Sequence, residues 1–491
     1  MPEADLILYG KGYEYDIYTL VKAFFPGKNI NLRFENEKYE GEDAFMRLCL
    51  KLSDGRAVFT VSDGEKTVER SDTVADETDR KSTKNTLKRL TYNALREYTG
   101  RELPWGDLTG IRPIRIPSQL LEQGMRPADI ERSMQDNYFV SEKKASLATH
   151  IAVRERSMLA PVELKKSYSL YVGIPFCPSI CLYCSFGSHP MDKFGDLVEP
   201  YLGALYKELD YISEAMEGRE LTSIYIGGGT PTTLTASQLD ALLTHIEDKF
   251  PMEDIKEFTV EAGRPDTIDQ DKLYTLLAHP VSRISVNPQT MNDKTLETIG
   301  RRHTSADTVK AFKLAREAGF ENINMDIIVG LPGEGEEEVR YTLDRIKELS
   351  PDSLTVHSLA LKRSTRLNLY KDEYAPVSFD NSEEIMDMAD RYAHEMLMRP
   401  YYLYRQKNMA GNFENIGYGR KDCLGLYNVL IMEEKQTIMA AGSGAISKFV
   451  YSDGRIERAA NVKDLKNYIE RTDEMIARKD EALKKYIEEG E

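Results

Sequence analysis

Apolar runs and amphipathic segments alternate regularly in the middle of the chain. Short runs rich in β-branched residues predict six strands, at 170–174, 223–226, 258–260, 283–286, 323–329 and 354–357. Helical patterns lie between them, at 199–216, 236–250, 270–279, 307–318 and 336–349. Because parallel strands need a long crossover connection, this alternation predicts βα units and a parallel sheet. Six units are too few for an eight-stranded barrel, so we expect an α/β fold with a partial (β/α)6 TIM-like barrel, whose chemistry lies at the carboxyl ends of the strands.

The region before this alternation, residues 1–165, predicts a separate N-terminal α+β domain. Apolar runs at 30–34, 44–52 and 57–61 indicate strands, and Asp54-Gly55 marks a turn between the last two. A charged stretch, 65–84, leads into a helix at 83–98 with apolar residues on one face. The turn-rich segment 103–113 contains the only tryptophan, Trp105, which we interpret as the buried anchor of a loop.

After residue 370 the regular alternation ends, and residues 371–491 predict a C-terminal α+β extension that covers the active site. A helical pattern at 382–398 is followed by a tyrosine-rich stretch at 401–413 and a Gly/Ala-rich stretch at 440–447. The end of the chain, 464–491, predicts a charged helix whose mixed charges form a solvated face. With residues 166–370 as the barrel, three domains are expected.

Composition and charge narrow the class of protein. Of the 491 residues 41% are hydrophobic and 30% are charged, and the mean hydropathy is −0.48. No apolar run approaches the roughly 20 residues of a membrane helix, and the first five residues lack the features of a secretory signal. We therefore expect a cytoplasmic protein without a membrane span. The net charge of −16 argues against non-specific nucleic-acid binding, which needs a basic surface.

The five cysteines are unevenly distributed in a way that indicates a metal site. Cys177, Cys181 and Cys184 fall within eight residues, while Cys49 and Cys423 lie far away. A disulfide framework would show an even and spread set, so clustered thiols in a reducing compartment are better interpreted as metal ligands or redox groups. A [4Fe–4S] cubane that is bound by three thiolates leaves one iron open for a further ligand.

Zinc is the alternative occupant of this cysteine site. Structural zinc sites usually close with four nitrogen or sulfur ligands and pair one C-x2-C with another, and the chain has no second pair. His189 could act as a fourth ligand, although an ordinary loop histidine is the simpler interpretation. The spacing favours the cluster and leaves zinc as the second possibility.

The spacing C-x3-C-x2-C with an aromatic residue before the last cysteine resembles the signature of radical S-adenosylmethionine enzymes. Further motifs, in family order and spacing over residues 166–450, resemble the oxygen-independent coproporphyrinogen III oxidase family. They are Tyr171-Val-Gly-Ile-Pro-Phe-Cys177, Ile226-Gly-Gly-Gly-Thr-Pro-Thr232, Arg283-Ile-Ser-Val-Asn-Pro-Gln289, Met325-Asp326 and Gly330-Leu-Pro332. Trp105-Gly106, Glu261-Ala-Gly-Arg264 and Tyr404-Arg-Gln-Lys-Asn408 look most like the coproporphyrinogen-oxidase-like proteins of Firmicutes and other anaerobes.

The resemblance implies two cofactors. A [4Fe–4S] cluster would be held by Cys177, Cys181 and Cys184, and S-adenosylmethionine would bind its open iron. The positions that match the family's S-adenosylmethionine contacts are Tyr171, Tyr183, Gly228, Gly229, Thr230, Glu261, Gln289, Arg301, Asp326, Ala360 and Ile446.

The residue types at several of these positions suit the roles that the resemblance implies. Tyr183 would lie beside the adenine, and glycines at 228 and 229 would let backbone groups approach the methionine ammonium. A carboxylate at a barrel mouth is costly unless it is paired, which suits Glu261 and Asp326 to a cationic or hydroxyl-rich ligand. The guanidinium of Arg301 would lie on the carboxylate side, since the two groups form strong hydrogen bonds.

The implied activity belongs to porphyrin and haem biosynthesis. A 5′-deoxyadenosyl radical would take a hydrogen atom from the β-carbon of a coproporphyrinogen III propionate. Loss of CO2 and one electron would then leave a vinyl group, twice per substrate, to give protoporphyrinogen IX. A reductant such as flavodoxin or ferredoxin would supply the first electron. Arg112, Arg405 and Lys407 are candidate propionate contacts, because each lies in a loop-like segment outside the barrel strands.

Two departures from the family pattern leave other functions open. The well-known enzymes have a further cysteine two residues after the third ligand, where this chain has Phe186. The haem-chaperone branch has a His-Asn-x-x-Tyr-Trp stretch, where this chain has Leu426-Tyr-Asn-Val-Leu-Ile431, and this difference argues against simple haem trafficking. The alternatives are another radical reaction on a tetrapyrrole, such as haem ring opening or methyl transfer, and a haem-binding chaperone without turnover.

Overall fold

A computed structural model describes residues 4–10, 12–35, 45–360, 365–369, 381–406 and 413–489. The chain forms two compact units, Met1–Ala152 and Val153–Glu491. The expected division into three domains, with boundaries at 165 and 370, stays a prediction. Among the described helices, none is both long and apolar enough to cross a membrane.

The first unit contains a five-stranded mixed sheet. Its strands are β1 (Ala4–Tyr9), β2 (Ile30–Phe34), β3 (Met46–Ser53), β4 (Arg56–Ser62) and β5 (Thr67–Thr73), in the order β2-β1-β3-β4-β5. The helices that begin in this unit are α1 (Glu14–Phe24), α2 (Arg80–Thr99), α3 (Arg115–Glu122), α4 (Pro127–Tyr138) and α5 (Glu142–Leu159). Asp79 begins α2 by accepting hydrogen bonds from the backbone N–H groups of Lys81 and Ser82, as N-cap residues do.

Two features of the first unit differ from the sequence-based expectation. The charged stretch 65–84 contains β5, of which only Val68 is buried, because an edge strand with one buried side chain shows no apolar alternation. The elements β1 and α1 were not predicted at all. Trp105 is confirmed as a buried anchor, since only 1% of it is exposed.

The second unit is built on an eleven-stranded sheet. Its strands run in the order β14-β15-β13-β12-β11-β10-β9-β6-β16-β17-β18, and a two-stranded ribbon pairs β7 with β8. The ranges are β6 (Ser167–Ile174), β7 (Phe176–Cys177), β8 (His189–Pro190), β9 (Glu220–Gly228), β10 (Glu257–Glu261), β11 (Arg283–Ser285), β12 (Ile323–Val329), β13 (Ser353–Ser358), β14 (Arg399–Tyr404), β15 (Asn415–Gly419), β16 (Thr437–Ala441), β17 (Ile446–Val450) and β18 (Ile456–Ala460).

Six consecutive strands of this sheet, β6 and β9 to β13, are parallel to one another. This confirms the expected partial (β/α)6 barrel. The helices of the unit are α6 (Met191–Phe194), α7 (Val198–Ala215), α8 (Ala236–Lys249), α9 (Gln270–Ala278), α10 (Asp293–Thr298), α11 (Ser305–Ala318), α12 (Glu336–Leu349) and α13 (Arg366–Leu369), followed by Glu383–Glu395, Leu426–Glu433, Leu465–Glu470 and Thr472–Glu488. Helix α11 begins two residues before the predicted start, because Thr304 and Asp307 form a capping box there.

The C-terminal part of the chain contributes strands to both sides of the parallel set. On one side β15 pairs antiparallel with β13, and β14 pairs with β15. On the other side β16 pairs parallel with β6, and the hairpin β17–β18 follows. The Gly/Ala-rich stretch 440–447 is thus the turn between β16 and β17, beside the first strand of the barrel.

The prediction of a single helix at 464–491 is wrong for the described part of this segment, whereas most of its charged side chains are exposed, as predicted. The segment forms two helices that meet at Arg471. Lys479 in the second of them is fully buried, and its Nζ lies 2.5 Å from Oε1 of the equally buried Glu208 on α7. Glu208 also accepts hydrogen bonds from Tyr468 Oη and Gly442 N. The ion pair between Lys479 and Glu208 is therefore part of the core and connects the last helix to α7.

Candidate active site

The predicted site residues meet in one cavity of about 350 Å³ at the carboxyl ends of the barrel strands. This is the edge at which parallel α/β barrels carry their active sites. Of the fourteen residues predicted to bind the cluster or S-adenosylmethionine, twelve line the cavity: Cys177, Cys181, Tyr183, Cys184, Gly228, Gly229, Thr230, Glu261, Gln289, Arg301, Asp326 and Ala360. Their roles as ligands stay predictions, but their convergence is a structural fact.

The cysteines lie on a loop whose two ends are joined. Phe176 and Cys177 of β7 pair with His189 and Pro190 of β8, and His189 N donates to the carbonyl oxygen of Pro175 at 2.7 Å. The ring of His189 packs against Phe194, with 4.9 Å between centroids. The loop is therefore a closed unit that presents its thiols to the cavity.

Cys177 and Cys181 are buried, and Cys184 is partly exposed. Burial raises the pKa of Cys177 to about 11 and also raises the pKa of Cys184. Thr230 Oγ1 lies 3.5 Å from Cys177 Sγ, and Ser188 Oγ lies 4.0 Å from Cys184 Sγ. Without a metal the thiols of Cys177 and Cys184 are neutral, and metal binding must displace their protons.

The glycine turn after β9 packs directly against the start of the cysteine loop. A Cβ atom at Gly229 would lie 2.5 Å from the carbonyl oxygen of Phe176, so no other residue fits. Gly229 N and Thr230 N donate to the carbonyl oxygens of Ile174 and Phe176, each at 2.7 Å. At Gly228 the backbone adopts φ +110°, which favours glycine. The glycine turn thus fixes the cysteine loop. Glycine is needed here for this packing, in addition to the close approach of a ligand that the sequence suggested.

Glu261, at the end of β10, is held by a tyrosine of the neighbouring strand. Tyr225 Oη donates to Glu261 Oε1 at 2.5 Å. Burial raises the pKa of Glu261 to about 7, and the hydrogen bond from Tyr225 opposes that rise. Tyr225 also stacks with Tyr427, with ring centroids 4.6 Å apart, and with Tyr171 at 6.3 Å. Tyr171 itself is not among the residues that line the cavity; it supports Tyr225 from behind.

Asp326 on β12 has the opposite electrostatic environment. Burial alone would raise the pKa of Asp326, but His357 and neighbouring hydrogen bonds hold it below its ordinary value. Asn287 Nδ2 and Asn324 Nδ2 donate to the carboxylate at 2.9 and 2.7 Å, and His357 Nε2 lies 3.8 Å from Oδ2. Asp326 is therefore a fixed anion, whereas Glu261 titrates near neutral pH.

Gln289 is placed for a ligand. Its backbone has φ +67°, in the left-handed region that residues other than glycine rarely adopt. Its N–H donates to the Asp326 carbonyl oxygen at 3.0 Å, while its buried side-chain Oε1 has no hydrogen-bond partner among the described residues. A buried acceptor without a partner costs free energy, so a bound hydroxyl or ammonium donor would stabilise it.

Arg301 and Tyr183 both line the cavity and are joined by hydrogen bonds. Arg301 Nε and Nη2 donate to Tyr183 Oη at 3.2 and 3.1 Å, and Nη1 donates to the Asn287 carbonyl oxygen at 2.8 Å. The guanidinium is thus fixed in the cavity wall next to the aromatic ring of the cysteine loop.

Other predicted residues lie elsewhere. Ile446 begins β17, is 43% exposed and does not line the cavity. Arg405 is buried beside Glu414 and is also not among the lining residues. Arg112 is half-buried in the first unit, and Lys407 lies outside the described residues.

Several lining residues were not singled out from the sequence. Tyr225, Asn287 and His357 hold the two carboxylates, and Arg264 contacts the cysteine loop. A second wall is formed by residues of the C-terminal strands and helix: Tyr402, Tyr404, Gln406, Asn415, Asn428 and Met432. Tyr225 directly precedes the motif 226–232 at the end of the same strand, and this position could have indicated that Tyr225 belongs to the site. The C-terminal wall was expected in part, because residues 371–491 were predicted to cover the active site and Tyr404 and Gln406 lie in the motif Tyr404-Arg-Gln-Lys-Asn408.

Comparison with known proteins agrees with this geometry. The Radical SAM superfamily matches residues 171–346. The solved structure of coproporphyrinogen III oxidase (HemN) from Escherichia coli, a radical SAM enzyme, shares the fold at a TM-score of 0.51 and 24% identity, covering 65% of this chain and 72% of that one. The barrel and its cysteine loop thus define a radical S-adenosylmethionine protein.

Relatives that match beyond the barrel indicate the family within this class of proteins. The oxygen-independent coproporphyrinogen-III oxidase-like protein HemZ of Bacillus subtilis is 41% identical over 405 residues, which cover 81% of each protein. The haem chaperone HemW of Lactococcus lactis is 32% identical over 59% of this chain and 73% of that protein. The chain belongs to the oxygen-independent coproporphyrinogen III oxidase-like family, and the predicted resemblance is confirmed.

Members of this class use a [4Fe–4S] cluster and S-adenosylmethionine, and these are the cofactors of this chain. The residues present fit both groups. Cys177, Cys181 and Cys184 line one cavity, and a cubane places each thiolate on a different iron. The buried Gln289 Oε1, which has no hydrogen-bond partner in the described parts of the chain, fits a ligand that brings donors into the cavity.

Proposed function

We propose that this chain uses a 5′-deoxyadenosyl radical for the oxidative decarboxylation of coproporphyrinogen III to protoporphyrinogen IX. The observation that carries the proposal is the meeting of three thiols, two of them buried, with polar groups from successive strand ends in one cavity. When bound, the cluster and S-adenosylmethionine supply a radical able to remove a hydrogen atom from an unactivated carbon. The protein supplies orientation and excludes competing reactions.

In this proposal Cys177, Cys181 and Cys184 hold the cluster, and the neighbouring polar groups hold S-adenosylmethionine. The fixed anion Asp326 and the acceptor Gln289 Oε1 suit ribose hydroxyls and the ammonium group. Arg301 suits the methionine carboxylate. Glu261 accepts a hydrogen bond best when ionised, so its pKa near 7 makes cofactor binding sensitive to pH. The proposed set also includes Tyr171, Ala360 and Ile446. Tyr171 and Ile446 do not line the cavity, and Ala360 lines it without a polar side chain.

The overall reaction balances for each propionate as follows. The β-carbon loses one hydrogen atom to the adenosyl radical, the carbon–carbon bond to the carboxylate breaks, and CO2 and one electron leave. A vinyl group remains, and an external acceptor takes the electron. We propose a flavodoxin or ferredoxin as the one-electron donor that starts the sequence, and cytoplasm as the location.

The C-terminal wall of the cavity supports a tetrapyrrole as the substrate. Tyr402 and Tyr404 have nearly parallel rings, 7° between planes and 6.4 Å between centroids. Asn415, Asn428 and Met432 complete a surface that is aromatic and amide-bearing. Aromatic faces with a few polar groups are typical of sites for flat, partly apolar ligands.

Haem binding without turnover is the second candidate, and it is supported by the relatives that carry the name haem chaperone. These include HemW of Lactococcus lactis, at 32% identity. The two candidates differ in the ligand of the C-terminal wall. A decarboxylase would bind coproporphyrinogen there and release the product, whereas a chaperone would bind haem and pass it to another protein.

One anaerobic assay separates the candidates. Reconstituted protein is incubated with S-adenosylmethionine, a chemical reductant and coproporphyrinogen III, and products are separated by chromatography. Protoporphyrinogen IX with CO2 and 5′-deoxyadenosine supports the decarboxylase. Formation of 5′-deoxyadenosine without CO2 contradicts it and favours another radical reaction on a tetrapyrrole. Tight haem binding in a spectrophotometric titration, with no product from coproporphyrinogen, favours the chaperone. The Cys181→Ala variant is the control for chemistry that does not need the cluster.

A further inference from the structure

Arg264 lies beside the middle cysteine of the triad. Its Nη1 is 3.7 Å from Cys181 Sγ and also donates to the Ser179 carbonyl oxygen at 3.3 Å and Oγ at 3.2 Å. Only 4% of the side chain is exposed, so its charge acts through protein and is weakly screened by water. The guanidinium therefore faces a sulfur atom at short range in a medium of low polarity.

Asp266 fixes this guanidinium from the other side. Arg264 Nε donates to Asp266 Oδ1 at 2.9 Å and Nη2 donates to Oδ2 at 2.8 Å, a bidentate pair. His303 Nδ1 lies 3.7 Å from the same carboxylate. Burial alone would raise the pKa of Asp266, but the nearby His303 and the hydrogen-bonded guanidinium of Arg264 hold it well below its ordinary value. With Nε and Nη2 engaged, Nη1 is the group that is left to face Cys181.

We propose that Arg264 sets the reduction potential of the cluster through Cys181 Sγ, and that Asp266 limits the size of this effect. Reduction by one electron from an external low-potential donor adds a negative charge to the cluster. Net charge and hydrogen bonds to the sulfurs tune the potential of such clusters. A guanidinium at a ligand sulfur stabilises the reduced state more than the oxidised state, so it raises the potential and eases reduction. Arg264 acts through the cysteine and is a positioning residue.

This inference rests on the proposed ligation of the cluster by Cys181, which a separate measurement tests. Iron and sulfide content of the Cys181→Ala protein reports on ligation alone. Full cluster content in that variant would overturn both the ligation and this inference. Loss of the cluster there leaves the role of Arg264 to be decided by redox titration of the other variants.

The test is a redox titration of the reconstituted full-length protein, with the reduced cluster followed by its electron paramagnetic resonance signal. Arg264→Gln should shift the midpoint potential downwards. About a tenfold change in the equilibrium between oxidised and reduced cluster is expected from losing one hydrogen bond to a charged group, which is about 59 mV for a one-electron couple. Asp266→Asn should shift it upwards, because the guanidinium loses its neutralising partner. Arg316→Gln, which removes the ion pair between Arg316 on α11 and Asp352, should leave it unchanged.

Opposite shifts in the two variants are the signature of electrostatic tuning, since general damage to the loop would move both in the same direction. A wild-type potential in Arg264→Gln with full iron content would overturn the proposal. If Arg264→Gln takes up no cluster, two other variants are titrated in its place. Arg264→Lys keeps the positive charge, and Asp266→Asn keeps the arginine. A potential in Asp266→Asn that is equal to or below the wild-type value would then overturn it.

Discussion

The phenol of Tyr225 and the carboxylate of Glu261 are joined by a 2.5 Å hydrogen bond between adjacent strands, β9 and β10. A Cβ atom at Gly227 would lie 2.8 Å from Tyr225 Cε1 and 3.0 Å from Glu261 Cδ. The glycine turn therefore makes room for this pair as well as for the cysteine loop. The cofactor site and the loop are in this way built around the same few backbone atoms.

Replacement of Tyr225 by Phe should weaken S-adenosylmethionine binding about tenfold near pH 7. The hydrogen bond stabilises the ionised form of Glu261, so its loss leaves burial unopposed and raises the pKa of Glu261 further. The deficit should shrink as the pH rises, because Glu261 is then ionised in both proteins. Equilibrium dialysis across pH 6.5 to 9 measures this.

The control for this prediction is Tyr211→Phe. It removes another tyrosine hydroxyl that donates to a carboxylate, Asp480, at 3.4 Å and outside the cavity. Its affinity for S-adenosylmethionine should equal that of the wild type. An affinity deficit in Tyr225→Phe that is the same at every pH would contradict the role assigned to Glu261.

Glu261→Gln should make the cofactor-free protein more stable at pH 8. The folded-state pKa of Glu261 is raised from 4.5 to about 7, so the stability that this group contributes is present below pH 4.5 and is lost as the pH rises through 7. At 1.36 kcal/mol per pKa unit the loss is about 3 kcal/mol. Urea unfolding should therefore show a gain of up to that size at pH 8, which narrows towards pH 5. A gain that is independent of pH would contradict the titration.

Cys181→Ala should abolish cluster assembly, whereas Cys423→Ala should not. Cys181 is one of three thiols on the cavity loop, and a cubane with only two protein thiolates is poorly held. Cys423 is a part-exposed cysteine that does not line the cavity. Iron and sulfide analysis with visible absorbance spectra compares the two. Equal iron content in both variants would remove the loop as the cluster site.

Lys479→Met should destabilise the protein by about 3 to 5 kcal/mol, because it leaves the buried carboxylate of Glu208 without its counter-charge. The matched control is Lys207→Met. Lys207 also links α7 to the last helix, through Asp473, but both members of this pair are exposed, and such a pair contributes about 1 kcal/mol or less. Chemical denaturation of both variants makes the comparison. Similar losses in the two would show that burial of the Glu208 pair is unimportant.

The placement of the main site could be predicted because it follows from topology. Parallel strands bring their carboxyl ends to one edge, so Glu261, Gln289 and Asp326 had to approach the loop that follows the first strand. The cysteine spacing itself predicted the cluster. The strand pattern and the cysteine motif predicted the same site. The parallel strands then confirmed the barrel, and the family match confirmed the cofactors.

The residues that were missed depend on contacts between distant parts of the chain. Arg264 meets Cys181 across 83 positions, and Lys479 meets Glu208 across 271. A lysine in a charged run looks solvated until its buried partner is known. Strand β5 was missed for a different reason: with one buried side chain, Val68, it has no alternation to detect.

We expect the closed loop between β7 and β8 to affect how the protein responds to oxygen. Because pairing of Phe176 with His189 already holds the ends of the loop together, the entropy of closing it is lost on folding and not on cofactor uptake. Destruction of the cluster would then release iron and sulfide but leave the thiols gathered. We expect oxidative damage at this centre to be repairable by reloading, without unfolding and resynthesis of the chain.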